Sequence, residues 1–130
     1  MRQIIFLFLL ASAAAFSQTE TEITINPIIK GSLFSPAKTD KKTKLVILIA
    51  GSGPTDRYGN QASVNNNSLK YLAQEIVKSG AAVFSYDKRG ISPDPSQKID
   101  EKRLSFEDFI TDAKSVIAYF KDKKSYSKII

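Results

Sequence analysis

Cysteine and histidine are both missing from the 130-residue chain. Without cysteine there is no disulfide, no zinc–thiolate centre and no thiol nucleophile. Without histidine the commonest general base and metal ligand is gone, and these residues alone cannot assemble a Ser-His-Asp triad. No metal site and no organic cofactor is expected from what is left. A long apolar run is lacking too, because the hydrophobic stretch at residues 4–16 is too short for a comfortable membrane span. The formal charge of +6 comes mostly from lysines in residues 38–44 and 121–128. No aromatic interleaving or nucleic-acid motif accompanies them, so they read as solvated loop charges and no nucleic-acid partner is expected.

What the amino terminus does have is the pattern of a signal peptide over residues 1–17: basic Arg2, a short apolar core, then small residues. Ala15 and Ser17 stand three and one before the expected cut, giving a mature protein that starts at Gln18, with a cut after Ala15 as the alternative. The protein is therefore expected to be exported, periplasmic or extracellular, with no stable membrane anchor after cleavage. The lack of cysteine near the cut also argues against lipid attachment there.

Residues 18–130 have the apolar and charged fractions of one globular domain. Residues 22–25 alternate, Pro27 interrupts, and residues 28–34 read as a second strand, which together suggest an antiparallel pair at a sheet edge. Residues 44–50 form the most apolar run of the mature chain and read as a strand buried on both faces. Residues 68–79 carry Leu69, Leu72, Ala73, Ile76 and Val77 at helical spacing, with Asn67 or a neighbour as cap and Gly80 as the left-handed end. A strand at 81–86 follows, then a loop at 91–103 containing Pro93 and Pro95. A second helix opens near Ser105, whose capping partner is Asp108, and its stripe of Phe106, Phe109, Ile110, Ala113, Val116, Ile117 and Phe120 reads as core packing. Another strand starts within residues 125–130. The order implies an α/β fold, an N-terminal antiparallel strand pair followed by parallel β-α-β-α-β.

The buried strand at 44–50 runs into Gly51-Ser52-Gly53-Pro54-Thr55-Asp56-Arg57-Tyr58-Gly59-Asn60. A P-loop would need a lysine after Gly59, and Asn60 stands there. A dinucleotide fingerprint would need a glycine where Asp56 stands. What remains is an oxyanion hole, backbone N–H donors held at the end of a parallel strand.

This turn, followed by a helix, a strand and Tyr86-Asp87-Lys88-Arg89-Gly90, resembles the N-terminal half of a secreted bacterial α/β-hydrolase of the serine esterase and peptidase kind. The resemblance runs from about residue 23 to the last residue. It implies that the backbone N–H of Ser52 donates to the oxyanion, that Gly53 gives the backbone room, and that Gly51, Asp56, Asn60, Asp87, Arg89 and Gly90 support the site. Asp87 and Arg89 are expected to pair and brace the turn, with Asp87 kept ionised and its pKa lowered by arginine, a poor general acid. Two positions depart from the family pattern. Ala50 stands where histidine often precedes the glycine, and Ser92 stands where a further glycine often follows. No Gly-x-Ser-x-Gly elbow surrounds Ser52, so its N–H and not its hydroxyl is expected to matter.

In such a fold the nucleophile, acid and histidine would follow the strand that begins near Ser127. The chain is accordingly expected to be an incomplete α/β-hydrolase-type sheet, the oxyanion-hole half of an ester or amide hydrolase, inactive and marginally stable alone. The alternative is a small non-catalytic α/β protein that holds an anion on the same turn, or a truncated hydrolase remnant. The expected partner is a small-molecule ester or peptide substrate.

Overall fold

The computed structural model describes residues 18–91 and 101–130; the expected signal segment and Ser92, Pro93 and Pro95 of the expected loop lie outside them. Asn26 ends the first strand, β1 (Thr19–Thr24), by accepting the N–H groups of Ile28 and Ile29 on Oδ1 at 2.9 and 2.8 Å. This side-chain turn reverses the chain. β2 (Lys30–Ser35) therefore lies antiparallel to β1. Asp40 forms the same kind of turn with Lys42 and Thr43, launching β3 (Lys44–Ile49). Then come α1 (Ser68–Lys78), β4 (Ala82–Tyr86), a short 3-10 turn (Glu101–Arg103), α2 (Phe106–Lys123) and β5 (Lys128–Ile129).

The five strands form one mixed sheet in the order β1-β2-β4-β3-β5. β4 is antiparallel to β2 and parallel to β3, and β3 is parallel to β5. Successive side chains of β4 point to opposite faces. Ala82, Phe84 and Tyr86 pack with Val116 and Phe120 of α2, while Val83 packs with Ala73 and Val77 of α1. The two helices thus cover opposite faces, with β4 buried from end to end between them. Phe84 and Phe120 meet edge to face, ring centres 4.9 Å apart. Each such side chain contributes roughly 1.5–3 kcal/mol by leaving water.

α2 starts in a full capping box: Ser105 Oγ accepts the Asp108 N–H at 3.3 Å, and Asp108 Oδ2 accepts the Ser105 N–H at 2.9 Å. α1 starts differently. Asn67 is left-handed (φ 52°) and gives no side-chain cap, so Asn66 Oδ1 takes the Ser68 N–H, and the Tyr58 carbonyl takes those of Leu69 and Lys70 at 3.0 and 3.3 Å. Gly80 ends α1 in the left-handed region, φ 89°.

Three expectations need correction. β3 is not buried on both faces: Leu45 is, but Val46, Ile47 and Leu48 are half-buried and Ile49 is 56% exposed. The reason is position, since β4 has long strand partners on both sides, whereas the other neighbour of β3 is the two-residue β5. The stripe on α2 is core only at its C-terminal end, where Val116 and Phe120 are buried against Ala82, Phe84 and Tyr86 of β4; Phe106 is 73% exposed. Leu72 of α1 likewise faces outward.

Candidate functional site

Because β3 and β4 are parallel neighbours with Ile49 opposite Tyr86, the loops leaving them emerge at the same end of the sheet. That is where ligands bind in open α/β sheets. The topology thereby brings residues 50–60 beside residues 87–90.

The far half of the first loop is heavily braced. Asp56 Oδ1 accepts the N–H groups of Tyr58 and Asn60, both at 2.8 Å. Asn60 bonds Asn67 twice, accepting its N–H at 2.7 Å and donating Nδ2 to its Oδ1 at 3.0 Å. Asp56 and Asn60 therefore tie the loop to itself and to the start of α1. Gly59 holds φ 93° against the helix start, where a side chain would run into Ser68 and the Leu69 backbone.

Asp87 and Arg89 are not each other's partners, contrary to the expected pair. Asp87 accepts the backbone N–H of Arg57 on Oδ1 and its Nε on Oδ2, each at 2.8 Å. The guanidinium also reaches Glu22 at 3.1 Å, and the Arg57 carbonyl accepts the Ser85 hydroxyl at 2.6 Å. Arg89 turns the other way, to Asp112 and Asp108 on α2, with Nε to Asp112 Oδ2 at 2.7 Å and Nη1 to Asp108 Oδ1 at 2.9 Å. Asp87 and Arg89 stand two apart, a spacing that would share a face in a continuing strand. But β4 ends at Tyr86 and the chain turns, with the Ile91 N–H donating to the Lys88 carbonyl, so one side chain meets the neighbouring loop and the other α2.

The electrostatics follow from these partners. Burial raises the Asp87 carboxyl above its ordinary value and outweighs the lowering by the Arg57 N–H and guanidinium, so the expected lowering does not hold. Burial alone would lower the Arg57 pKa, but Asp87 and Glu22 carry it above the usual arginine value. Hydrogen bonding to Asp112 raises Arg89 likewise.

The near half of the loop, Gly51-Ser52-Gly53, is exposed. Gly53 has φ 85°, a left-handed bend that lets the chain reverse directly after the strand. Gly51 needs no such freedom, and a side chain there would meet nothing within 4 Å. Among the described residues no group accepts a hydrogen bond from the N–H of Ser52 or Gly53. Lys88 Nζ donates to the Gly51 carbonyl and to the Gly53 carbonyl, the latter at 2.8 Å. Burial lowers the Lys88 pKa.

A cavity of about 560 Å³ opens here, walled by the turn on one side, by Lys88, Arg89 and Gly90 on another, and by Phe106 and Phe109 of α2 on a third. Gly90, at φ 84°, turns the second loop back along that wall. Two N–H groups without an acceptor among the described residues and an apolar wall can hold an anionic oxygen attached to an apolar group. The hydroxyl of Ser52, the serine lining this cavity, has no basic partner among the described residues.

Sequence reading brought Ser52, Gly53, Asp56, Asn60, Asp87, Arg89 and Gly90 to one end of the sheet, but it missed Arg57 and Lys88. Both sit inside the two motifs it had singled out; motif spacing does not say which side chain crosses between loops. Comparison with protein-family models and with curated proteins finds no match for this chain.

Proposed function

We propose that this chain carries the oxyanion-hole half of a serine-type hydrolase of the α/β-hydrolase kind, acting on ester or amide bonds by acyl transfer. The observation that supports this reading is the pair of N–H groups at Ser52 and Gly53, which have no acceptor among the described residues and lie at the C-terminal end of a parallel strand beside a cavity. The sheet order, with an antiparallel β1–β2 pair leading into parallel β3, β4 and β5, is compatible with the hydrolase arrangement.

In such a reaction a serine Oγ attacks the substrate carbonyl carbon and gives up its proton to a base. The carbonyl electron pair moves onto oxygen, and that oxyanion accepts the Ser52 and Gly53 N–H groups. Collapse expels the alcohol or amine, which takes the proton, and water repeats the sequence on the acyl-enzyme. Since the 130 residues hold no histidine, the nucleophile and base would come from polypeptide joined after β5, where the resemblance places them. Acyl transfer of this kind needs neither a metal nor an organic cofactor. We further read residues 1–17 as a signal removed on export.

The test uses the protein expressed from its own gene, treated with a fluorophosphonate and assayed with p-nitrophenyl esters. Hydrolysis, with the label on a serine outside residues 18–130, is the expected result. A label on Ser52 would overturn the backbone-donor reading. Failure to hydrolyse any ester, combined with carboxylate or phosphate binding that shifts the Ser52 and Gly53 amide signals, would favour the non-catalytic anion binder.

A further inference from the structure

Lys88 reaches from the loop after β4 to the turn after β3, and there it meets carbonyl oxygens instead of a carboxylate. Its ammonium donates to the Gly51 and Gly53 carbonyls, and among the described residues it has no acidic partner. Arg89, the next cation along, is already engaged by Asp108 and Asp112.

Two properties of the peptide group give this contact a consequence. Every described peptide bond is trans, so the Ser52 N–H points opposite to the Gly51 carbonyl of the same plane. Drawing that carbonyl onto Lys88 aims the N–H away from the ammonium. The Gly53–Pro54 peptide has no N–H of its own; its carbonyl, which accepts the Thr55 N–H at 2.9 Å beside the ammonium, would repel an anionic oxygen if it turned toward one. The left-handed φ of Gly53 brings these two carbonyls together on one cation.

We propose that Lys88 is the positioning residue of this turn: by gathering the Gly51 and Gly53 carbonyls on its ammonium, it keeps both away from a bound anionic oxygen and fixes the Ser52 N–H toward it. The catalytic consequence rests on the oxyanion reading above, whereas the conformational claim does not. Loss of the clamp leaves the donors present but free to rotate.

The experiment takes isotope-labelled protein expressed from its own gene, as wild type, Lys88→Met and Lys88→Arg. In the wild type, a protected Lys88 ammonium signal correlated with the Gly51 and Gly53 carbonyl carbons is expected. In Lys88→Met the amide signals of Gly51, Ser52, Gly53 and Thr55 should shift while the rest of the spectrum stays, and Lys88→Arg should restore them. With p-nitrophenyl butyrate, Lys88→Met should lower kcat about 10- to 100-fold with KM changed less than about twofold, and Lys88→Arg should recover much of the loss. Absence of the ammonium correlation overturns the proposal, even if Lys88→Met fails to fold. Wild-type kcat and unshifted Ser52 and Gly53 signals in Lys88→Met overturn it equally. If no form hydrolyses esters, the hydrolase reading falls, and the carbonyl correlation and the Lys88→Arg rescue of the amide signals decide the positioning role by themselves.

Discussion

Arg57 and Asp87 hold each other at two points, one on the backbone and one on the side chain: Oδ1 takes the Arg57 N–H and Oδ2 takes its Nε, both at 2.8 Å. The side chains are only 11% and 13% exposed, so removing one partner strands a charge away from water. Asp87→Asn should destabilise the fold by on the order of 3 kcal/mol, read as a lowered urea midpoint with unchanged slope. The double change Arg57→Met with Asp87→Leu should recover part of the loss, because neither charge is then left behind. A midpoint for Asp87→Asn equal to wild type would show that water or Glu22 already compensates Arg57.

The two glycines that bracket the first loop should respond oppositely to alanine. Gly51→Ala meets nothing within 4 Å and should leave stability within about 0.5 kcal/mol of wild type. Gly59→Ala must hold φ 93° and pushes into Ser68 and the Leu69 backbone, and should cost at least about 1–2 kcal/mol. Thermal unfolding of the pair measures the difference.

Backbone and hydroxyl roles of Ser52 separate in the protein expressed from its own gene. Ser52→Ala keeps the N–H and should retain most ester hydrolysis. Ser52→Pro removes the donor and should lower kcat by about 100-fold or more. Strong loss in the alanine variant would mean that the hydroxyl takes part.

Acid should weaken the start of α2. The backbone N–H and hydroxyl of Ser105 hold Asp108 below its ordinary value of 3.8, with Arg89 adding to the effect. A carboxylate whose folded pKa is depressed gives stability that is present above its unfolded pKa and disappears as pH falls through the folded one. The stability difference between wild type and Ser105→Ala should therefore be constant near neutrality and shrink below pH 3.8. Urea unfolding followed by circular dichroism at several pH values checks this, and a difference unchanged into strong acid would exclude Asp108 as its source.

Along α2, exposure should rank the cost of truncation. Phe120→Ala empties a site that is 2% exposed and should cost about 3–5 kcal/mol. Phe106→Ser, at a position 73% exposed, should cost less than about 0.5 kcal/mol. An equal loss at both would mean that Phe106 is covered in solution.

The element order was legible because hydrophobic period and punctuation agree at each step: Asn26-Pro27, the Ser105 and Asp108 box, and Gly80 all mark boundaries through local chemistry. Burial was less legible. The apolar run of β3 looks the same whether or not a full strand lies on its far side, and the α2 stripe does not reveal that Val116 and Phe120 join the core while Phe106 does not. Within the site, the loop glycines and Asp56 act on near neighbours and could be read from sequence. The contacts of Arg57 with Asp87 and of Lys88 with Gly51 and Gly53 join residues more than 29 positions apart, set by β3 and β4 being adjacent, which no local pattern encodes.

Helix α1 begins on a carbonyl that belongs to the loop after β3, that of Tyr58, while the Tyr58 hydroxyl is held by Glu20 at 2.8 Å. The next residue back, Arg57, is fastened to Asp87. The outer side of α1, where Tyr71 and Leu72 stand exposed, is therefore joined through Tyr58 and Arg57 to the loop after β4. The span from Gly51 to Thr55 comes next along that line, and it is fastened in its turn by Lys88 at the Gly51 and Gly53 carbonyls and by Gln61 at the Thr55 hydroxyl.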